Sequence, residues 1–185
     1  GVNIGHLIVK ADGPKCECGN SGCLQSLVSS NAIILHARNL IKAYKNSSRE
    51  RINSTMSNKT ANISLLENYM NNQDKLSVEI IAKLAREGDK ISIQIMNETS
   101  KYLAIAISNI VNCLDPEIVI IGGGIAEAGD VLFNPLQEYL KNIIKFATPS
   151  FKVVKSKLGV DAFAMGAATA VLHQIFQSPD KFIEG

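Results

Sequence analysis

Cys16, Cys18 and Cys23 stand within eight residues, with Gly19 and Gly22 between them. No other stretch restricts the folding of the chain as tightly. A Cys-x-Cys pair closes into a disulfide only with strain, so the three thiols are read as ligands to one ion or as three reduced thiols. Glycine adopts the positive φ angles that let a short loop wrap its sulfurs around a centre. His6 lies ten residues before Cys16 and adds an imidazole. Three thiolates and one imidazole form a donor set that Zn²⁺ takes in closed tetrahedral sites; iron is the alternative metal, and such a set in an unspecialised cytosolic chain favours zinc. The predicted role is structural, tying a loop to a neighbouring segment.

The compartment follows from the same residues. Intracellular proteins keep thiols reduced, and the sequence shows no signal-peptide pattern at its start. No apolar run approaches the roughly 20 residues that span a bilayer. A cytoplasmic protein without membrane contact is expected. A formal charge of +2 supplies no broad basic face, so DNA contact is expected only through a separate upstream domain. The chain starts at Gly1 and moves directly into Leu7, Ile8 and Val9, as expected of a fragment of a longer chain.

Pattern and punctuation predict alternating helices and strands, hence an α/β class. A strand is expected over residues 5–10, closed by the turn at Asp12, Gly13 and Pro14. Asn31 caps a predicted helix running to Tyr44. Residues 46–75 are rich in Asn and Ser and are read as a polar, mobile insertion with a short helix near Leu65. Helices follow over residues 77–87 and 89–114, the second with an apolar stripe through Ile91, Ile95, Thr99, Tyr102, Ala106, Ile110 and Cys113. Ile118, Val119, Ile120 and Ile121 suit a central strand covered on both faces. Gly122, Gly123 and Gly124 turn the chain after it. Asn134 and Pro135 read as the cap and first position of another helix. A strand over residues 151–155 and a helix over residues 161–176 complete the pattern. His36 and His173 fall on helices and read as surface or interface residues, and Cys113 as a buried small hydrophobe.

These residues resemble the ROK family of bacterial repressors, open reading frames and sugar kinases. The likeness is carried by Ile4-Gly5-His6, by Asp12-Gly13-Pro14 and by the knuckle continuing into Cys23-Leu24. It continues through Asp115-Pro116-Glu117, the strand and glycines up to Gly124, and Gly166-Ala167-Ala168. The resemblance implies an actin-like, hexokinase-superfamily (ribonuclease H-like) α/β fold. Residues 1–185 would be its C-terminal sugar-binding and dimerisation lobe, with a zinc knuckle.

It also implies roles. His6 would hold the metal on one ring nitrogen and meet a sugar hydroxyl with the other. The family places a Glu three residues before this His and another two after the last Cys; here those positions are Asn3 and Gln25. Charged acceptors bond about twice as strongly as neutral amides, so the exchange weakens sugar binding by roughly 2–4 kcal/mol if the hydroxyls stay poorly paired. Gly122, Gly123 and Gly124 would lie near the adenosine of ATP in a kinase. The phosphate-binding loop and general base that phosphoryl transfer requires have no counterpart in the sequence, so no catalytic residue is assigned. The form of the knuckle and the loss of both carboxylates point first to the effector-sensing half of a sugar-responsive regulator, a homodimer. The alternative is the second half of an ATP- and Mg²⁺-dependent sugar kinase.

Overall fold

The computed structural model of the protein describes residues 3–54, 64–69, 76–144 and 151–177. At its centre is α4 (Lys90–Leu114). Asp115 ends this helix in a left-handed conformation, φ 43°, which Asp tolerates better than most residues, and Pro116 cannot continue a helix. Ahead of it, α3 (Val78–Arg86) is capped by the Ser77 hydroxyl, which accepts from the Ile80 N–H, and stops before Gly88 at φ 89°. Both helices fall where the punctuation predicts them.

Asp89 joins these elements. Its carboxylate caps α4 by accepting from the Ser92 N–H (2.9 Å) and hydroxyl (2.7 Å). The Ser64 hydroxyl (2.7 Å) and the Leu65 N–H (2.9 Å) reach the other oxygen. Asp89 is only 8% exposed. Burial raises its pKa, but the bonds from Ser64, Ser92 and Leu65 outweigh burial and hold the carboxyl below its ordinary value. A carboxyl depressed on folding stabilises fully above its unfolded pKa of about 3.9. That contribution is lost as the pH falls through the lower, folded value. Asp89→Ala strands four donors and removes a cap, so it is expected to cost about 3 kcal/mol at pH 7. Urea unfolding at pH 7 and pH 3 checks both statements: the gap between wild type and variant should narrow in acid.

The core forms where α5 (Asp130–Ile143) packs along α4. Leu132 and Leu136 are fully buried, facing a cluster that includes Ile95 and Met96. The Ser100 hydroxyl donates to the Leu132 carbonyl at 2.8 Å. This helix begins earlier than the Asn134-Pro135 pair predicts. Gly129 (φ 65°) is the junction and Pro135 lies inside the helix, because the spacing of Leu132, Leu136 and Leu140 sets which turns are buried. Cys113 is exposed, contrary to the sequence reading; Val111, at 2% exposure, takes the inward position. Cys113 lies five full turns after the buried Ile95 and so on the same face, but residues 112–114 are all exposed, because the last turn of α4 runs past the described elements that cover its earlier turns.

After α4 the chain forms β1 (Ile118–Ile121) and, beyond α5, β2 (Lys152–Lys155). They pair in parallel, Ile118 opposite Lys152 and Ile121 opposite Lys155. The expectation of a strand covered on both faces is corrected. Ile118 and Ile120 are 51% and 64% exposed, whereas Ile121 is buried. Side chains alternate along a strand, and the described helices cover only the face that holds Val119 and Ile121. The last helix, α6 (Ala162–Gln177), follows a 3-10 turn at Gly159–Asp161.

Near the start, α1 (Gln25–Val28) leads into α2 (Ser30–Ser54). The cap of α2 is Ser29, whose hydroxyl accepts from the Ala32 N–H, not Asn31. The helix passes Tyr44 and reaches Ser54, into the stretch read as a polar insertion, and Leu65–Tyr69 forms a 3-10 turn. The remainder of that stretch, residues 55–63 and 70–75, lies outside the described residues. No helix of the described residues is long and apolar enough to cross a membrane.

Candidate metal centre

The predicted strand over residues 5–10 is instead a 3-10 turn, Ile4–His6, followed by a single antiparallel bridge between Ile8 and Cys23. The turn closes locally: the Asn3 side-chain oxygen accepts from the Gly5 N–H at 3.1 Å, and the His6 N–H reaches the Asn3 carbonyl. Beyond it the chain meets the end of the knuckle, with Val9 N–H on the Gly22 carbonyl and Leu24 N–H on the Leu7 carbonyl. His6 is thereby carried to the segment that holds Cys23.

The knuckle is a tight hairpin. Lys15 bridges Ser21, and the Cys16 N–H bonds the Asn20 carbonyl at 2.8 Å. Gly19 and Gly22 take φ 92° and 71°. Gly22 is also pressed against the backbone: a Cβ there would lie 1.6 Å from the Lys10 carbonyl oxygen.

The result is a cluster in which the ligand atoms of His6, Cys16, Cys18 and Cys23 all lie within 4.8 Å of one another. Cys18 and Cys23 sulfurs are 3.6 Å apart, and Cys16 Sγ lies 3.6 Å from His6 Nδ1. In a disulfide the sulfurs would stand about 2.0 Å apart. Around a tetrahedral ion with metal–sulfur bonds of about 2.3 Å and metal–nitrogen bonds of about 2.0 Å, sulfurs fall about 3.8 Å apart, and sulfur and nitrogen about 3.5 Å. The four side chains fit such an ion. Burial is graded: Cys23 is 0% and Cys16 9% exposed, Cys18 is open to solvent and His6 is half-buried. Burial pushes the Cys23 thiol up to about 12, with Cys18 and Cys16 adding to the rise. The backbone N–H of Asn20 pulls Cys18 below the ordinary thiol value. A metal entering this cluster must therefore displace a proton from Cys23.

Asn3 and Gln25, far apart in sequence, meet at Gly5, the residue before His6. A Cβ on Gly5 would find Asn3 Oδ1 at 3.2 Å and Gln25 Oε1 at 3.3 Å. Both residues are exposed. Nδ1 of His6 faces Cys16, so Nε2 points away from the thiols. The Gly-rich turn belongs to another part of the fold. Gly122 lies against Ser156 and Gly124 faces Glu79, with Gly123 at φ 77°; no knuckle residue is among these neighbours.

Sequence reasoning passed over a groove behind the knuckle, lined by Lys10, His36, Glu98 and Tyr102. The signal was there in Glu98 and Tyr102, which share a helix face at a spacing of four residues.

A family-wide sequence model described as the ROK family matches residues 1–174. The chain is 33% identical to a glucokinase of Thermotoga maritima over 95% of its own length and 50% of the relative's. It is 24% identical to a xylose repressor of Caldicellulosiruptor bescii over 96% of its length and 40% of the repressor's. The fold is similar to that of a ROK family glucokinase from Streptomyces griseus solved with glucose and AMPPNP, with a TM-score of 0.71 and 24% identity, covering 90% of this chain and 50% of that one. The chain spans about half the length, or less, of the curated relatives it matches.

Proposed function

The chain belongs to the ROK family, and from that premise we propose that residues 1–185 are the sugar-recognising C-terminal half of a two-lobed ROK protein. His6, Cys16, Cys18 and Cys23 would hold a structural Zn²⁺. The supporting observation is the pairing of tetrahedral donor spacing with the orientation of His6, whose Nδ1 faces the thiols. Zn²⁺, when bound, supplies a fixed charge that locks the tautomer and direction of the ring.

The chain's own residues do the rest. With Nδ1 committed, the proton of a neutral imidazole sits on Nε2, which donates to a sugar hydroxyl oxygen. The Asn3 and Gln25 carbonyl oxygens accept hydroxyl protons on the same side, and their amide groups donate. Neutral acceptors bind a polyol more weakly than carboxylates do. Gln25→Glu is therefore expected to tighten glucose binding about tenfold, by roughly 1.4 kcal/mol. Calorimetry on the full-length protein measures this; an unchanged affinity would mean that Gln25 does not face the sugar.

For the whole protein two readings stand side by side. An ATP- and Mg²⁺-dependent sugar kinase is supported by the higher identity to the Thermotoga glucokinase. Gly122, Gly123 and Gly124 would then let backbone approach the nucleotide, while the phosphate loop and general base would come from outside these residues. A sugar-responsive regulator is supported by Asn3 and Gln25, which a sensor tolerates more readily than an enzyme. That protein would act as a homodimer and meet DNA through a further domain. Sugar-dependent ADP release by the full-length protein supports the kinase. A sugar-dependent change in operator affinity without ADP release supports the regulator. Absence of glucose or related sugar binding in both assays would overturn the sugar-recognising reading itself.

A further inference from the structure

The donors of the candidate metal centre are unequally sheltered. Cys23 and Cys16 are buried, whereas Cys18 stands open to solvent at the tip of the hairpin, between the paired Cys16 and Asn20. Its sulfur lies 3.6 Å from that of Cys23, across the turn Gly19-Asn20-Ser21-Gly22. A disulfide needs about 2.0 Å, so the two sulfurs have to close by roughly 1.6 Å. The turn has room for this: Gly19 holds φ 92°, and a Cβ on it would meet nothing within 4 Å. Cys16 is placed otherwise. Its sulfur faces His6 Nδ1 at 3.6 Å, and its pairing with Cys18 would make the strained Cys-x-Cys bridge.

Ligands to a metal are thiolates, and a thiolate within reach of solvent is the sulfur that peroxides oxidise first. On the zinc reading given above, we propose that Cys18 is an oxidation site, where hydrogen peroxide joins Cys18 to Cys23 and empties the metal centre. The Cys18 sulfur attacks one peroxide oxygen, the O–O bond breaks and hydroxide departs, leaving a sulfenic acid. The Cys23 sulfur then attacks the Cys18 sulfur, the S–O bond breaks and a second hydroxide departs. The two sulfurs lose two electrons, and the peroxide gains them; two protons carry the hydroxides to water.

The new bond withdraws two of the four donors. His6 and Cys16 alone fall short of the four that a structural zinc site uses, so the ion is released and the His6 ring loses its fixed direction. Glucose affinity falls with it. Where the compartment keeps thiols reduced the bond is transient, and thiol exchange restores the centre.

The test treats the zinc-loaded, full-length protein with hydrogen peroxide in small molar excess while a chromophoric chelator follows zinc release. Free thiols are then blocked with one alkylating reagent, and those opened by dithiothreitol are labelled with a second. Peptide mapping is expected to place the second label on Cys18 and Cys23 and the first on Cys16. Zinc should leave in step, glucose affinity should fall at least tenfold, and dithiothreitol with added zinc should restore both. Cys18→His keeps four donors of a kind that zinc accepts and should slow release at least tenfold; if it fails to load zinc, the labels in the unaltered protein decide alone. A second label on Cys16 and Cys18, zinc release without a disulfide, or equally fast release from Cys18→His would each overturn the assignment. Metal analysis before treatment separates the two readings. A protein without zinc refutes the metal centre, while the labels still test the Cys18–Cys23 bond. A protein that keeps its zinc and all three free thiols refutes the oxidation site.

Discussion

Cys23→Ser in the full-length protein is expected to lower zinc content from one equivalent to less than about a tenth after a brief chelator wash. Cys23 is the donor with no exposure to solvent, and it also bridges Ile8, so it would fix a bound ion and the chain at one point. A serine hydroxyl is a far weaker zinc ligand than a thiolate, and structural zinc contributes about 10–16 kcal/mol of apparent binding energy in small zinc-folded peptides. The helical core around Ile95, Met96, Leu132 and Leu136 has its own packing. The damage should therefore concentrate in the knuckle, with protease cleavage between residues 10 and 24 while α4 and α5 persist. Metal analysis and limited proteolysis read both effects. Stoichiometric zinc in the variant would remove Cys23 from the ligand set.

Gly22→Ala should be nearly as severe without touching a ligand. The added Cβ would fall 1.6 Å from the Lys10 carbonyl oxygen, where no rotamer offers relief because both partners are backbone. The residue also holds φ 71°, which alanine adopts only with strain. Its N–H and carbonyl bond the Pro14 carbonyl and the Val9 N–H, so any shift breaks the link between knuckle and His6. A loss of about 4 kcal/mol, or at least a hundredfold in zinc affinity, is expected. Competition with a chromophoric chelator measures the affinity. Gly19→Ala is the control: the residue shares a positive φ but has open space around it, so its loss should be limited to the strain of the left-handed backbone. Equal losses in the two variants would refute the steric argument.

The convergence of His6, Cys16, Cys18 and Cys23 was legible in the sequence because it is local. Three cysteines within one short hairpin need little tertiary information to converge, and His6 is brought in by a single bridge. The ends of α3 and α4 were legible for a similar reason: Ser77, Gly88, Asp89 and Pro116 act on the backbone next to them. What failed depended on partners distant in the chain. Ile118 and Ile120 look like core residues until the absence of a described element over that face is known. Asn134 and Pro135 imitate a helix start, and only the burial of Leu132 shows that the helix had already begun. Asn3 and Gln25 carry no sign of their meeting at Gly5 apart from the family likeness. The groove escaped because Lys10, His36 and Glu98 come from three separate segments.

The parallel pairing of β1 with β2 has a practical consequence for handling this polypeptide. Among the described residues neither strand has a second neighbour, so each presents a row of unspent peptide donors and acceptors beside bare isoleucines. Such a margin recruits other molecules. Concentrated samples of residues 1–185 should self-associate through it, and a lysine in place of Ile120 should keep them in solution.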